Sequence, residues 1–147
     1  MSNAVRPIKV LLVEDDETDV LLITKALEKD RVLNQLDRVK DGVEAMQYLR
    51  NEGEYSGVSR PDLILLDLNM PRKDGREVLK DCFNDEQLRS IPIVVFTSSD
   101  DERDILSSYK YKASSYVSKP VDLMQFRNVF KELQEYWFCI VSLPQRD

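Results

Sequence analysis

Five short apolar runs alternate with stretches in which apolar residues recur every three or four positions, and this alternation constrains the fold most. The runs lie at residues 8–13, weakly around 35–39, and at 62–66, 92–96 and 115–118. The first, third and fourth are almost continuously apolar. That pattern suits strands covered on both faces of a parallel sheet, where an alternating polar face is not needed. After the first run, Val20, Ile23, Ala26 and Leu27 share one helical face. Asp16, Glu17 and Asp19 stand at that helix's start, where the helix dipole favours anions. Residues 43–50, 77–83 and 102–109 supply three more helices. Leu123, Phe126, Val129, Phe130, Leu133 and Trp137 predict a last one. The chain therefore reads βαβαβαβαβα. Right-handed crossovers between parallel strands then predict a doubly wound α/β sandwich with a five-stranded parallel sheet in the order 2-1-3-4-5.

The 147 residues suit one domain, with residues 138–147 as an apolar extension. The polar, glycine-containing stretch at 52–60 reads as a surface loop. No stretch approaches the roughly 20 apolar residues that cross a membrane, and residues 1–6 carry no signal-peptide core. These features predict a cytoplasmic protein. The chain has no histidine, which excludes Ser-His-Asp hydrolysis, a histidine-ligated zinc site and a phosphohistidine donor role. Cys82 and Cys139 form no CxxC and read as thiols in a reducing compartment, Cys82 in the core. The formal charge of −6 disfavours direct DNA binding and anionic membranes.

Ligands in open α/β sheets bind beyond the carboxyl ends of the strands. Strand one ends in Glu14-Asp15-Asp16, strand three in Asp67, strand four in Thr97-Ser98-Ser99 and strand five in Lys119-Pro120. Each has an ordinary reading by itself. Glu14 to Asp16 fit a charged helix start, Asp67 a strand-end cap, Thr97 a β-branched strand residue and Lys119-Pro120 a turn. Gly75 reads as a turn before the third helix. Together these strand ends carry more. Glu14, Asp15 and Asp67 would crowd at one edge, and such a cluster calls for a hard cation such as Mg²⁺. Three carboxylates, one Mg²⁺ and the Lys119 ammonium balance in charge. A carboxylate beside Mg²⁺ can attack phosphorus, which makes Asp67 the candidate nucleophile. Thr97 can donate to the phosphoryl group, and the Asn69 backbone carbonyl can join the metal.

The residues Val13-Glu14-Asp15-Asp16, Asp67-Leu68-Asn69-Met70-Pro71-Arg72-Lys73-Asp74-Gly75, Phe96-Thr97-Ser98 and Tyr116-Val117-Ser118-Lys119-Pro120 resemble the receiver domain of two-component response regulators. The resemblance covers about residues 8–137 and implies the flavodoxin-like (βα)5 fold. It implies Asp67 as phosphoacceptor and Glu14 and Asp15 as the acidic pair, with Asp15 a direct metal ligand beside the Asn69 carbonyl. It also implies Thr97 and Tyr116 as a switch pair, Lys119 as a phosphoryl contact and a cis Lys119–Pro120 bond. On this reading the chain is not an enzyme with a separate substrate. A sensor histidine kinase donates the phosphoryl group, and the face made by the fourth helix, fifth strand and fifth helix changes its affinity for partners.

The stretch Glu52-Gly53-Glu54-Tyr55, the segment Arg60-Pro61-Asp62-Leu63-Ile64-Leu65-Leu66-Asp67 and the tail around Trp137 resemble stand-alone response regulators that serve phytochrome-type histidine kinases. That resemblance implies a light- or redox-sensing kinase as partner. The tail residues Trp137, Phe138, Ile140 and Val141 either fold back on their own domain or form a homodimer surface. A Mg²⁺-dependent phosphatase of the haloacid-dehalogenase type is the enzymatic alternative. It needs a second acid two residues after the nucleophile, where this chain has Asn69. A flavin binder of the same topology needs a phosphate loop after strand one, which Glu14-Asp15-Asp16-Glu17 would repel.

Overall fold

The computed structural model describes residues 8–28, 33–98 and 101–119, with residues 124, 125, 127, 128 and 131, which are helical. The rest of the expected last helix, the tail after Trp137, Ser99 and the Lys119–Pro120 bond lie outside the described residues. The elements are β1 (Ile8–Val13), α1 (Glu17–Leu27), β2 (Leu33–Val39), α2 (Gly42–Leu49), β3 (Leu63–Leu66), α3 (Gly75–Phe83), β4 (Ile93–Thr97), α4 (Glu102–Lys110) and β5 (Ser115–Ser118). All strand pairs are parallel, and the sheet order is β2-β1-β3-β4-β5, as the alternation predicts.

Burial follows from that order. β1, β3 and β4 have a strand on each side and every residue buried, which is why their sequences are almost continuously apolar. β2 and β5 are the edges. In β2, Leu36, Asp37 and Arg38 are half-buried and Val39 buried, so its apolar signal is weak. The strand also starts earlier than its apolar residues suggest, at Leu33. Alternate side chains serve two core layers. Leu11, Val13, Ile64, Leu66, Ile93 and Val95 pack with Ala45, Met46, Val78, Leu79 and Cys82 from α2 and α3. Val10, Leu12, Leu63, Leu65, Val94 and Phe96 pack with Ile23 and Leu27 from α1. Each large aliphatic side chain buried this way contributes roughly 1.5–3 kcal/mol.

All four described helices α1 to α4 begin on an aspartate. Asp16, Asp41, Asp74 and Asp101 each accept hydrogen bonds from first-turn backbone N–H groups. Asp74 and Glu77 form a reciprocal capping box, and α3 therefore starts at Gly75, two residues before the predicted start at residue 77. Such caps are worth about 1 kcal/mol each. They also sort the acids at this sheet edge. Asp16 is a cap, whereas Glu14 and Asp67 cap nothing.

Gly75 is required by close approach, not by a turn. A β-carbon there would lie 2.1 Å from the Asp67 carbonyl oxygen. The 52–60 segment is a surface loop containing one 3-10 turn, Gly53–Tyr55, with Gly53 and Gly57 at positive φ (57° and 83°). Tyr55 and Val58 tuck against the first core layer. No helix among the described residues is long and apolar enough to cross a membrane.

Candidate phosphoryl-transfer and metal site

The sheet's hydrogen-bond ladder runs past the strand ends and fixes the backbone of the candidate residues. Glu14 N–H donates to the Val39 carbonyl at 3.1 Å, Asp67 N–H to the Val13 carbonyl at 3.1 Å, and Lys119 N–H to the Thr97 carbonyl at 2.8 Å. Glu14, Asp67 and Lys119 are thus placed by sheet pairing, not by loop conformation. From the edge strand β2, Arg38 donates to the carbonyls of Glu14 (2.8 Å) and Asp15 (3.3 Å) and to the Glu17 carboxylate (2.9 Å). This grip holds the β1–α1 turn.

The side chains converge. Carboxylate oxygens of Glu14, Asp15 and Asp67 lie within 4.8 Å of one another. Glu14 is 1% exposed and Asp67 5%, while Asp15 faces solvent. Thr97 Oγ1, fully buried, donates to Asp67 Oδ1 at 2.7 Å. Lys119 Nζ, with its side chain 9% exposed, lies 2.6 Å from Glu14 Oε1, 2.8 Å from Asp19 Oδ2 and 3.1 Å from Asp67 Oδ2. Asn69 N–H donates to Asp67 Oδ1 at 3.3 Å.

The electrostatics follow from burial. Burial pushes the Glu14 carboxyl up to about 8, with the Lys119 hydrogen bond opposing and the Asp67 charge adding to the rise. Burial works against the Lys119 charge too, but the hydrogen bonds it donates to Asp19 and Glu14 and the charge of Asp67 outweigh it and raise its pKa. One ammonium faces three carboxylates, with Asp15 a fourth nearby. A buried acid left so short of positive charge fits a divalent cation, and the all-oxygen donor set with an open, solvent-facing Asp15 suits Mg²⁺ or Mn²⁺.

Glu14, Asp15, Asp67, Thr97 and Lys119 therefore meet as the strand ends predict. Tyr116 is the remaining candidate of this set. It lies mid-β5 opposite Val95, half-buried against the first core layer. The earlier charge balance omits Asp19, which bonds Lys119 directly. Arg38 and Arg76 are also invisible to the strand-end reading. Arg76 donates to the Leu68 carbonyl (3.3 Å) and the Asn69 side chain (3.4 Å), and it grips Asp104 of α4 with two bonds of 2.6 Å. The signal for Asp19 was its place one turn into α1 on the strand-end side. Arg76 carries no periodic signal.

Residues 10–131 match the response regulator receiver domain. Response regulator Rcp1 of Synechocystis sp. is 39% identical over 145 residues, covering 98% of this chain and 99% of that protein. A solved structure described as the phosphorylated cyanobacterial phytochrome response regulator RcpA is 46% identical, with a TM-score of 0.88 over 95% of this chain and 99% of its own. The Mn²⁺-bound form of Rcp1 is 38% identical, with a TM-score of 0.85 over 95% of this chain and all of its own. A family match across most of the length, on a sheet whose strand ends gather these carboxylates around one lysine, makes the chain a member of the response regulator receiver domain family.

Proposed function

We propose that Asp67 accepts a phosphoryl group from the phosphohistidine of a sensor histidine kinase, in a reaction that requires Mg²⁺. The observation that carries this reading is the buried Asp67 carboxylate, bonded by Thr97 on one oxygen and Lys119 on the other, within reach of Glu14 and Asp15. Glu14, Asp15, Asp67 and the Asn69 carbonyl would hold the cation, which when bound neutralises phosphoryl charge. An Asp67 oxygen attacks phosphorus. The bond from phosphorus to the imidazole nitrogen breaks, and imidazole leaves with the bonding pair. Lys119 and Thr97 then contact the transferred phosphoryl oxygens.

The chain acts as a signalling switch and not on a separate substrate, although it assists its own phosphorylation and dephosphorylation. Thr97 leaves Asp67 for the new oxygens and Tyr116 follows, which alters the face of α4, β5 and the last helix. Leu106 and Tyr109 of α4, 70% and 50% exposed, offer that face apolar contact area. The unit spans residues 1–147 as one receiver, works in the cytoplasm and signals by protein contact, including contact with a second copy of itself, without contacting DNA or membrane. The relatives described as phytochrome response regulators support a phytochrome-type kinase as donor. The phosphatase alternative has no support, since residue 69 is Asn and the matching family is the receiver.

Labelled phosphate on an autophosphorylated phytochrome-type kinase should pass to the wild-type chain and not to Asp67→Asn. Transfer to Asp67→Asn would overturn the assignment of Asp67. Transfer from other histidine kinases only would overturn the phytochrome partnership alone.

A further inference from the structure

Lys119 is bonded by three carboxylates, and one of them belongs to no metal cluster. Glu14 and Asp67 group with Asp15 as candidate metal ligands, and Asp19 does not. A divalent cation bound there would draw charge from the Glu14 and Asp67 oxygens that Lys119 now contacts. Asp19 would keep its full charge for the ammonium. Asp19 is also well fixed. Its backbone N–H donates to the Asp16 cap at 3.1 Å, which locks it into the first turn of α1. Its side chain is 23% exposed and reaches Lys119 Nζ at 2.8 Å. The bond spans 100 residues, from the first helix to the end of the last strand.

We infer that Asp19 is a positioning residue for phosphoryl transfer: it anchors the Lys119 ammonium over Asp67 when the cation has engaged the other two carboxylates. Lysine is a flexible four-carbon stem carrying a point charge, so its catalytic value depends on what holds the head group. Without Asp19, the carboxylates that hold the ammonium among the described residues are Glu14 and Asp67, and both answer to the metal. Misplacing a charge-stabilising group by a fraction of its reach slows a transfer step far more than it weakens binding.

The inference rests on the function proposed above. Its test compares wild type, Asp19→Ala and Asp19→Asn with acetyl phosphate at saturating Mg²⁺, following the phosphorylated fraction by intact mass. An Asp67 oxygen forms the new bond to phosphorus as the bond to the acetyl oxygen breaks and acetate leaves. Asp19→Ala should slow phosphorylation by roughly fivefold to tenfold. Its Mg²⁺ affinity should change by less than about twofold, because the ligands are intact. Asp19→Asn keeps an oxygen acceptor at the same reach but loses the charge, and should recover part of the rate.

A second readout needs no phosphoryl transfer. The buried, bonded Lys119 ammonium should give a slowly exchanging ¹H–¹⁵N signal in wild type and Asp19→Asn, identified by its loss in Lys119→Gln, and lose it in Asp19→Ala. An Asp19→Ala rate equal to or faster than wild type, or an unchanged ammonium signal, would overturn the positioning role while leaving the function intact. A wild type that takes up no phosphoryl group would overturn the function and this role together.

Discussion

The residues at the strand-end rim divide into those that hold structure and those that face the site, and one aspartate illustrates the first kind. Asp41 caps α2 by accepting from Glu44 N–H at 2.9 Å and receives two bonds from Arg72, at 2.8 and 3.1 Å. Burial works against its charge, but the Arg72 and backbone hydrogen bonds outweigh it and lower its pKa. Its stabilisation is therefore present above the ordinary aspartate value near 3.9 and is lost as pH falls through the lower folded value. Asp41→Ala should cost about 1 kcal/mol at pH 6. That gap to wild type should narrow by pH 2–3 in urea unfolding, and a constant gap would show that the charge contributes nothing. At this scale the sequence was legible where chemistry demands a residue type. Asp67, Glu14, Asp15, Thr97 and Lys119 stand at predicted strand ends and meet there. Asp19 was legible as an acid at the start of α1 but not as a partner of Lys119, and Arg38 was not legible because its place on an edge strand says nothing of the β1–α1 turn it grips.

Elements meet this site through close backbone approach and one ion pair. Gly75 opens α3 directly over the Asp67 carbonyl, with no room for a β-carbon. Gly75→Ala must push α3 or the Asp67 backbone aside. Overpacking of this kind costs about 1–3 kcal/mol, and thermal denaturation should show the loss while Mg²⁺ affinity weakens in step. Arg76 ties the Leu68 and Asn69 loop to Asp104 in the first turn of α4. Its side chain is 37% exposed, which limits the strength of the pair. A double-mutant cycle of Arg76→Ala and Asp104→Ala should still give a coupling of about 1 kcal/mol, since the contact is bidentate. A coupling near zero would mean that α4 is held by packing alone. The sparse apolar content of α4, with Ser108 its one buried residue, was legible in the sequence. Its tether to the phosphoacceptor loop was not, because an arginine at the second position of one helix says nothing about the next. The weak apolar signals of β2 and β5 have a positional reason, since edge strands need less apolar surface than central ones.

The whole molecule is a sheet that concentrates negative charge at one end. Sheet order and strand-end convergence followed from the alternation of runs and helices, because few topologies satisfy parallel pairing with short crossovers. The helical caps obscured the count of site acids, since four aspartates at the same edge serve helix starts. Among the described residues, Glu14, Asp15 and Asp67 form the group of acids arranged to hold a metal ion. Mg²⁺ at a hundredfold excess over its dissociation constant should stabilise the fold by about 2.7 kcal/mol. Chelator should remove that gain, and Asp15→Asn should reduce it; equal melting temperatures with Mg²⁺ and with chelator would contradict a cation site. On the function proposed above, this charged end takes a phosphoryl group on Asp67. Intact mass after incubation with acetyl phosphate, with and without Mg²⁺, tests it most directly. Wild type should gain one phosphoryl group only when Mg²⁺ is present, and Asp67→Asn none. An adduct on Asp67→Asn, or a folded, Mg²⁺-binding wild type that neither gains the group nor releases phosphate from the donor, would contradict it.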